Sequence, residues 1–376
     1  MPSRLHALHD VGTSVWLDYI DRTMLHNGDL ERRIREDALT GMTSNPTIFE
    51  KALAEGQAYD AQITGAQDGL TPWQLFELVA VEDVRRACDL FAGVYRESKK
   101  VDGYVSLEVS PGSAHDAKAT VAEAHRLWKA VDRPNLMIKV PGTPEGAEAL
   151  RELIAAGINV NVTLLFAVEA HRRTIEAYLA GLEQRAAAGK PLDHVASVAS
   201  FFVSRVDSEV DARLEASAKG ADEATRSRLE RLKGKAAIAN ARLAYRLFRE
   251  EFSGPRWEKL AAKGARYQRP LWASTSTKNK AYRDVLYVEE LAGRDTVNTL
   301  PPATLEAFKD HGEARDAVGS HADEAVKTMN ALEGVGISMQ EVTDKLLREG
   351  LASFGKSFDS LLAGLEKKTA SLAGAK

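Results

Sequence analysis

The chain has 376 residues, 44% hydrophobic and 28% charged, the make-up of an ordinary globular protein and enough for one large α/β barrel or two average domains. Fifty basic against fifty-four acidic residues leave a net charge of −4 with no basic block or tail, so no nucleic-acid or membrane-surface partner is expected. The single cysteine, Cys88, excludes an internal disulfide and any cysteine-based zinc cluster. It lies on an apolar helical stripe with Phe76, Ala80, Val84, Phe91 and Tyr95, which makes it a small buried hydrophobe. The N-terminus, MPSRLHALHD, lacks the apolar core of a signal peptide and no run of 18 apolar residues occurs, so a cytoplasmic protein is the default expectation.

Eight short segments read as strands: Ser14–Ile20, Thr40–Asn45, Gly103–Ser110, Leu136–Pro141, Asn159–Phe166, Val195–Phe202, Arg269–Thr275 and Asp295–Leu300. Most are followed by a helix-period stretch, with start signals such as Thr71-Pro72 and Thr143-Pro144. Strand–helix alternation repeated eight times predicts an α/β fold of the (β/α)8 TIM-barrel type. Roughly sixty residues separate the second strand from the third, and roughly seventy the sixth from the seventh, so each interval is expected to hold an extra helix. No Pro/Gly/Ser-rich linker divides the chain, and 1–376 is read as a single barrel domain. Its strands fall within about 14–300, and 303–376 forms a helical C-terminal extension. From Gly336 onward, Ser338 and Glu341 form a capping-box pattern, and Leu347, Leu351, Phe354, Phe358, Leu361 and Leu365 step by three and four. This amphipathic C-terminal helix is expected on the outer ring, with a lid over the active face as the alternative.

The fourth strand holds a single polar residue, Lys139, in the run Leu136-Met137-Ile138-Lys139-Val140 closed by Pro141-Gly142-Thr143. A strand buried on both faces forces such a lysine either to reach out to solvent or to sit desolvated. Desolvation lowers an ammonium pKa, and a lysine lowered to roughly 7–8 can attack a carbonyl and form a Schiff base.

In a (β/α)8 barrel the reacting groups stand at the C-terminal strand ends. Here those ends carry Asp18, then Ser44-Asn45-Pro46, then Glu108 and Lys139, then Asn161 and Thr163, then Ser200-Phe201-Phe202 with Arg205, and finally Ser276 and Lys278. Each residue has a plainer role open to it. Asp18 can cap the next helix, Asn45 before Pro46 can form an Asx turn, Glu108 can be a structural ion pair, and Arg205 can pair with Asp207 or Glu209. Together they suit Schiff-base carbon–carbon bond cleavage. The iminium on Lys139 is the electron sink, one carboxylate takes the hydroxyl proton and another moves protons during dehydration. Asn45 and Asn161 can orient hydroxyls, while Arg205 and Lys278 beside serine hydroxyls suit a terminal phosphate. There is no P-loop, no GxGxxG after a strand and no HExxH, and none of the nine histidines has metal-ligand spacing with another. No cofactor and no metal is therefore expected.

The segments Gly41-Met42-Thr43-Ser44-Asn45-Pro46-Thr47-Ile48-Phe49, Asn135-Leu136-Met137-Ile138-Lys139-Val140-Pro141 and Gly157-Ile158-Asn159-Val160-Asn161-Val162-Thr163-Leu164-Leu165-Phe166 resemble the second-, fourth- and fifth-strand motifs of the transaldolase family. Val15-Trp16-Leu17-Asp18, Val105-Ser106-Leu107-Glu108-Val109 and Ser200-Phe201-Phe202-Val203-Ser204-Arg205 are weaker matches. The resemblance implies a (β/α)8 barrel of a longer bacterial-type subgroup. It also implies transfer of a dihydroxyacetone unit from sedoheptulose 7-phosphate to glyceraldehyde 3-phosphate in the non-oxidative pentose phosphate pathway, with small sugar phosphates as partners. It assigns the Schiff base to Lys139, the C4-hydroxyl base to Asp18, the water-holding pair to Glu108 and Thr163, and dihydroxyacetone binding to Asn45 and Asn161. Ser200 and Phe202 would line the pocket and Arg205 would bind phosphate. Where many members have a second arginine in Ser-Phe-Arg-Asn, this chain reads Ser276-Thr277-Lys278-Asn279, keeping the charge and losing the guanidinium fork. A Schiff-base aldolase that releases free dihydroxyacetone, and a non-catalytic barrel scaffold, are the alternatives. Oligomeric state is left open.

Overall fold

Eight strands pair in parallel and in chain order: β1 (Thr13–Asp18), β2 (Leu39–Thr43), β3 (Tyr104–Glu108), β4 (Leu136–Pro141), β5 (Val160–Leu165), β6 (Ser197–Phe202), β7 (Gln268–Ala273) and β8 (Thr296–Leu300). β8 returns to β1 with Trp16 opposite Thr299, closing a (β/α)8 barrel inside its ring of helices. The computed structural model describes residues 3–54, 57–67 and 69–374. Each strand lies within two residues of its predicted segment at either end; most are shorter at one or both ends. β1 stops at Asp18 and β2 at Thr43, because the chain turns there into helix-capping residues: Asp21 accepts the Met24 N–H and Asn45 the Ile48 N–H.

β4, β5 and β6 are buried at every position, as expected for parallel strands covered on both faces. The intervals hold more than the single extra helix expected. Among the described residues, three helices, Pro46–Ala54, Asp60–Thr64 and Pro72–Glu97, lie between β2 and β3, and four lie between β6 and β7. The 26-residue helix Pro72–Glu97 starts on a complete Thr71/Gln74 capping box and buries Cys88. Among the described residues, no helix is long and apolar enough to cross a membrane.

The C-terminal helix, Met339–Gly374, corrects the expectation that it packs on the outer ring. It crosses the C-terminal mouth of the barrel. On one side Arg213 pairs with Glu341 (3.2 Å) and Lys345 with Glu209 (2.6 Å), tying the helix to Ser204–Ala218, which follows β6. On the other, Thr47 and Ser357 hydroxyls are 2.8 Å apart and Phe358 packs edge-on against Trp73 and Phe76. Gly350 lies over β5, where an added Cβ would sit 3.0 Å from Leu164 Cδ2. Glycine inside a helix costs about 1 kcal/mol relative to alanine, and here it permits that approach. Phe354, Leu361 and Leu365 are buried beneath the helix, each worth on the order of 1.5–3 kcal/mol of burial. The helix thus serves as a cover because its apolar stripe matches the mouth.

Candidate active site

Strand register places the polar groups in a ring. Glu108 of β3 stands opposite Lys139 of β4, Lys139 opposite Asn161 of β5, and Pro141 opposite Thr163. Alternation along each strand keeps these side chains on the inner face while Ile138, Val140, Val160 and Val162 pack outward. Lys139 is 5% exposed. Its Nζ donates to the Ser44 carbonyl (3.0 Å) and lies 3.3 Å from Glu108 Oε2. The lysine is therefore desolvated and paired, which settles the choice between reaching solvent and staying inside.

Asp18, at the end of β1, accepts a 2.9 Å hydrogen bond from Thr43, whose hydroxyl also meets that of Thr299 at 2.7 Å. It does not cap the next helix; Asp21 does. Burial lifts the Asp18 carboxyl above the usual carboxylate range, opposed by the charge of Lys139, the Thr43 hydroxyl and the charge of Lys278. Burial also lifts Glu108, opposed by Lys139 and reinforced by the negative Asp18. Two carboxyls with a heightened hold on protons thus flank one lysine, a pattern common where protons are transferred.

Asn161 is fully buried. Its amide donates to Ser106 (3.0 Å) and its carbonyl accepts from Ser200 (2.6 Å), so its orientation is locked. The buried Thr163 hydroxyl has no hydrogen-bond partner among the described residues. β5 carries a register irregularity between Val162 and Leu165, with Leu164 at φ 61°; such bulges re-aim side chains at active sites. The side-chain oxygen of Asn45 caps the helix that starts at Pro46, so the Asx role is real. That residue still sits beside Glu108 in a small recess with Phe49 and Phe358.

Arg205 makes no hydrogen bond or ion pair among the described residues. Asp207 and Glu209 are engaged elsewhere, by Tyr287 and by Arg213 and Lys345. The Arg205 guanidinium lies over the Phe202 ring, 5.5 Å from its centroid. Desolvation lowers its pKa, opposed by Glu349 of the C-terminal helix. Lys278, on the loop after β7, donates to Ser276 at 2.7 Å. It is solvent-exposed, yet partial desolvation and then the charge of Arg205 lower its pKa, with Asp18 opposing. The mouth therefore carries two cations at one side and the lysine–carboxylate cluster below.

Three contributors escaped the sequence reading. Phe354 sits over Lys139, its ring centroid 5.9 Å from Nζ; the heptad-like stripe marked it only as apolar. Ser106 holds Asn161, and its position two residues before Glu108 on β3 was a usable signal. Thr43 positions Asp18. Among the described residues, no group of three or more metal-ligating side chains is gathered.

Polar groups converging on the C-terminal strand ends of a closed eight-stranded barrel define the enzymes of the (β/α)8 class. Within that class, a family model described as Transaldolase/Fructose-6-phosphate aldolase matches residues 15–365. The chain is 46% identical to a protein named Transaldolase from Trichodesmium erythraeum, over 98% of each. It is 50% identical to one of the same name from Thermobifida fusca, over 96% of this chain and 97% of that one. A third, from Saccharopolyspora erythraea, is 49% identical over 96% of each. The chain belongs to the transaldolase/fructose-6-phosphate aldolase family.

Proposed function

We propose that this enzyme is a transaldolase. It moves a dihydroxyacetone unit from sedoheptulose 7-phosphate to glyceraldehyde 3-phosphate, giving erythrose 4-phosphate and fructose 6-phosphate in the non-oxidative pentose phosphate pathway of the cytoplasm. The single observation that carries the reading is the desolvated Lys139, 3.3 Å from Glu108 and beneath Phe354 at the barrel mouth.

Glu108, whose buried carboxyl holds protons strongly, takes a proton from the Lys139 ammonium. The freed amine adds to the donor's C2 carbonyl. Protonation of the carbinolamine hydroxyl expels water and leaves an iminium. A water held between Glu108 and the unpartnered Thr163 hydroxyl relays these protons. Asp18 then takes the C4 hydroxyl proton, the C3–C4 bond breaks, and its electron pair moves into the iminium to form an enamine. The aldehyde product leaves. When the acceptor aldehyde enters, the enamine carbon attacks its carbonyl carbon and Asp18 returns the proton to the new alkoxide. Hydration of the new iminium then releases the ketose and restores Lys139.

Asn161, locked by Ser106 and Ser200, and the amide of Asn45 hold the dihydroxyacetone hydroxyls in line with the breaking bond. Phe202 walls the pocket. Arg205 and Lys278, with Ser276, receive the phosphate. The cover formed by the C-terminal helix supports transfer over simple release, because an enamine shielded from water survives until the acceptor arrives.

Borohydride reduction in the presence of fructose 6-phosphate should add a three-carbon unit to Lys139, located by peptide mass spectrometry. Erythrose 4-phosphate should convert the same donor to sedoheptulose 7-phosphate faster than free dihydroxyacetone appears without it. An adduct undiminished in Lys139→Ala would overturn the mechanism. Rapid release without acceptor would reassign the chain as an aldolase.

A further inference from the structure

The loop that carries Ser276 and Lys278 runs from Ser274 to Val285 with no strand or helix of its own. Segments of this kind are mobile unless tied down. Desolvation and then the charge of a second cation, Arg205, lower the proton affinity of Lys278, so bringing the two together costs repulsion unless an anion lies between them.

The loop is bonded to its surroundings at Thr275 (to Asn298, 2.9 Å), Arg283 (to the His311 carbonyl, 2.9 Å) and Asp284 (to His311, 2.8 Å), and further ties join it to the helix that bears Arg205. At the start of the loop, the Ser204 N–H donates to the Ser274 carbonyl (3.1 Å) and the two hydroxyls are 3.0 Å apart. At its far end, the Tyr282 hydroxyl donates to Asp211 Oδ2 at 2.5 Å, and Asp211 Oδ1 accepts the Gly234 N–H at 3.0 Å. The Tyr282 ring fills the space at Gly234, where an added Cβ would sit 2.8 Å from Tyr282 Cζ. Asp211 belongs to the helix Ser204–Ala218, whose first turn bears Arg205. The two stand six positions apart, about 9 Å along a rigid rod. On the loop side, Asn279 compacts the step from Lys278 to Tyr282: its carbonyl accepts the Tyr282 N–H (3.1 Å) and its side chain the Ala281 N–H (2.9 Å). Lys278, Tyr282, Asp211 and Arg205 thus form one mechanical chain.

We propose that the Asp211–Tyr282 hydrogen bond is a positioning element of the phosphate site, holding Lys278 at a fixed spacing from Arg205 before the sugar phosphate arrives. It rests on the reading of Arg205 and Lys278 as the phosphate-binding pair. Such preorganisation raises affinity by removing the ordering cost at binding. Tyr282 and Asp211 touch no substrate; they act through Lys278.

Tyr282→Phe keeps the ring against Gly234 and removes only the hydroxyl. With saturating donor, kcat/KM should be compared for glyceraldehyde 3-phosphate and unphosphorylated glyceraldehyde as acceptors. The expected result is a loss of about fivefold for the phosphorylated acceptor, carried by KM, as one hydrogen bond is worth. The unphosphorylated acceptor should be unaffected. Asp211→Asn, which keeps the shape and weakens the acceptor, should repeat this selectivity. In a Lys278→Ala background, Tyr282→Phe should have no further effect. Equal losses for both acceptors, a loss that persists without Lys278, or no loss at all overturns the proposal. The underlying reading is checked separately. If wild-type enzyme shows no preference for the phosphorylated acceptor, or Arg205→Ala leaves that preference intact, the phosphate-site assignment fails instead.

Discussion

Asp207→Asn tests the electrostatics of the helix that carries Arg205. Asp207 is 1% exposed, accepting from the Ala237 N–H at 2.8 Å and the Tyr287 hydroxyl at 2.7 Å. Burial pushes its carboxyl up to about 6 from the ordinary 3.8, with Asp211 adding to the rise and the two hydrogen bonds opposing it. At 1.36 kcal/mol per pH unit, ionisation therefore costs the folded state about 3 kcal/mol more than the unfolded chain. Below the unfolded pKa both states hold the proton, and the contribution to stability is fully present. As pH rises from about 4 to about 6, the unfolded chain releases its proton first, and the contribution is lost through the folded pKa. Equilibrium urea unfolding of wild type and Asp207→Asn across pH 4–7.5 reads this out. The amide variant has a constant offset from its altered hydrogen bonds but no titration at this site. Its stability relative to wild type should therefore climb by about 2.4 kcal/mol between pH 4 and 7.5, the rest of the difference being developed below pH 4. Curves that stay parallel would refute the assigned proton affinity and the burial argument behind it.

Lys139→Arg should be inactive and give no borohydride-stable adduct although the charge is kept, because a guanidinium stays protonated and cannot attack a carbonyl. Asp18→Asn should still form the Schiff base yet fail to cleave it. Mass spectrometry after reduction with fructose 6-phosphate should then find a six-carbon phosphorylated adduct, with kcat down about 10²–10⁴-fold. In the wild-type enzyme the raised Asp18 pKa should place the acidic limb of the cleavage rate above the usual carboxylate range, since only the ionised form accepts the proton; a limb at ordinary carboxylate pH would contradict this. Phe354→Ala should lower stability by about 3 kcal/mol and raise free dihydroxyacetone release relative to transfer. An unchanged release-to-transfer ratio would remove Phe354 from the shielding role.

The barrel was legible because its signals are local. Period-two alternation put Asn161 and Thr163 on one face of their strand, and the register of the folded barrel aligns Glu108, Lys139 and Asn161 as neighbours. The lysine's surroundings were legible for the same reason, since a polar residue in a run apolar on both sides has few places to go. Strand ends were less so. Tyr19 and Ile20 continue the apolar pattern of β1, but the Asp21 cap has already begun the next helix. For Asn45 the two readings do not compete: its side-chain oxygen caps a helix, and the proposed binding role falls to its amide nitrogen. Arg205 depended on partners distant in sequence. Its apparent mates Asp207 and Glu209 are claimed by Tyr287, Arg213 and Lys345, and none of these pairings can be read from spacing along one helix.

The C-terminal helix shows where local signals stop. An apolar stripe of threes and fours states that one face is buried, not against what. Its destination is set by complementarity at separated points. Gly350 lets the helix approach Leu164, Lys345 and Glu341 meet the helix after β6, and Phe358 enters the Trp73–Phe76 cluster. Once those points are fixed, Phe354 has one place to go, over Lys139. An outer-ring helix would leave the strand-end lysine open to water, which would protonate an enamine before a second aldehyde arrived. On the proposed mechanism, the residues that make the helix a cover would also favour transfer over release, and this is why Phe354→Ala is expected to change the fate of the intermediate more than its formation.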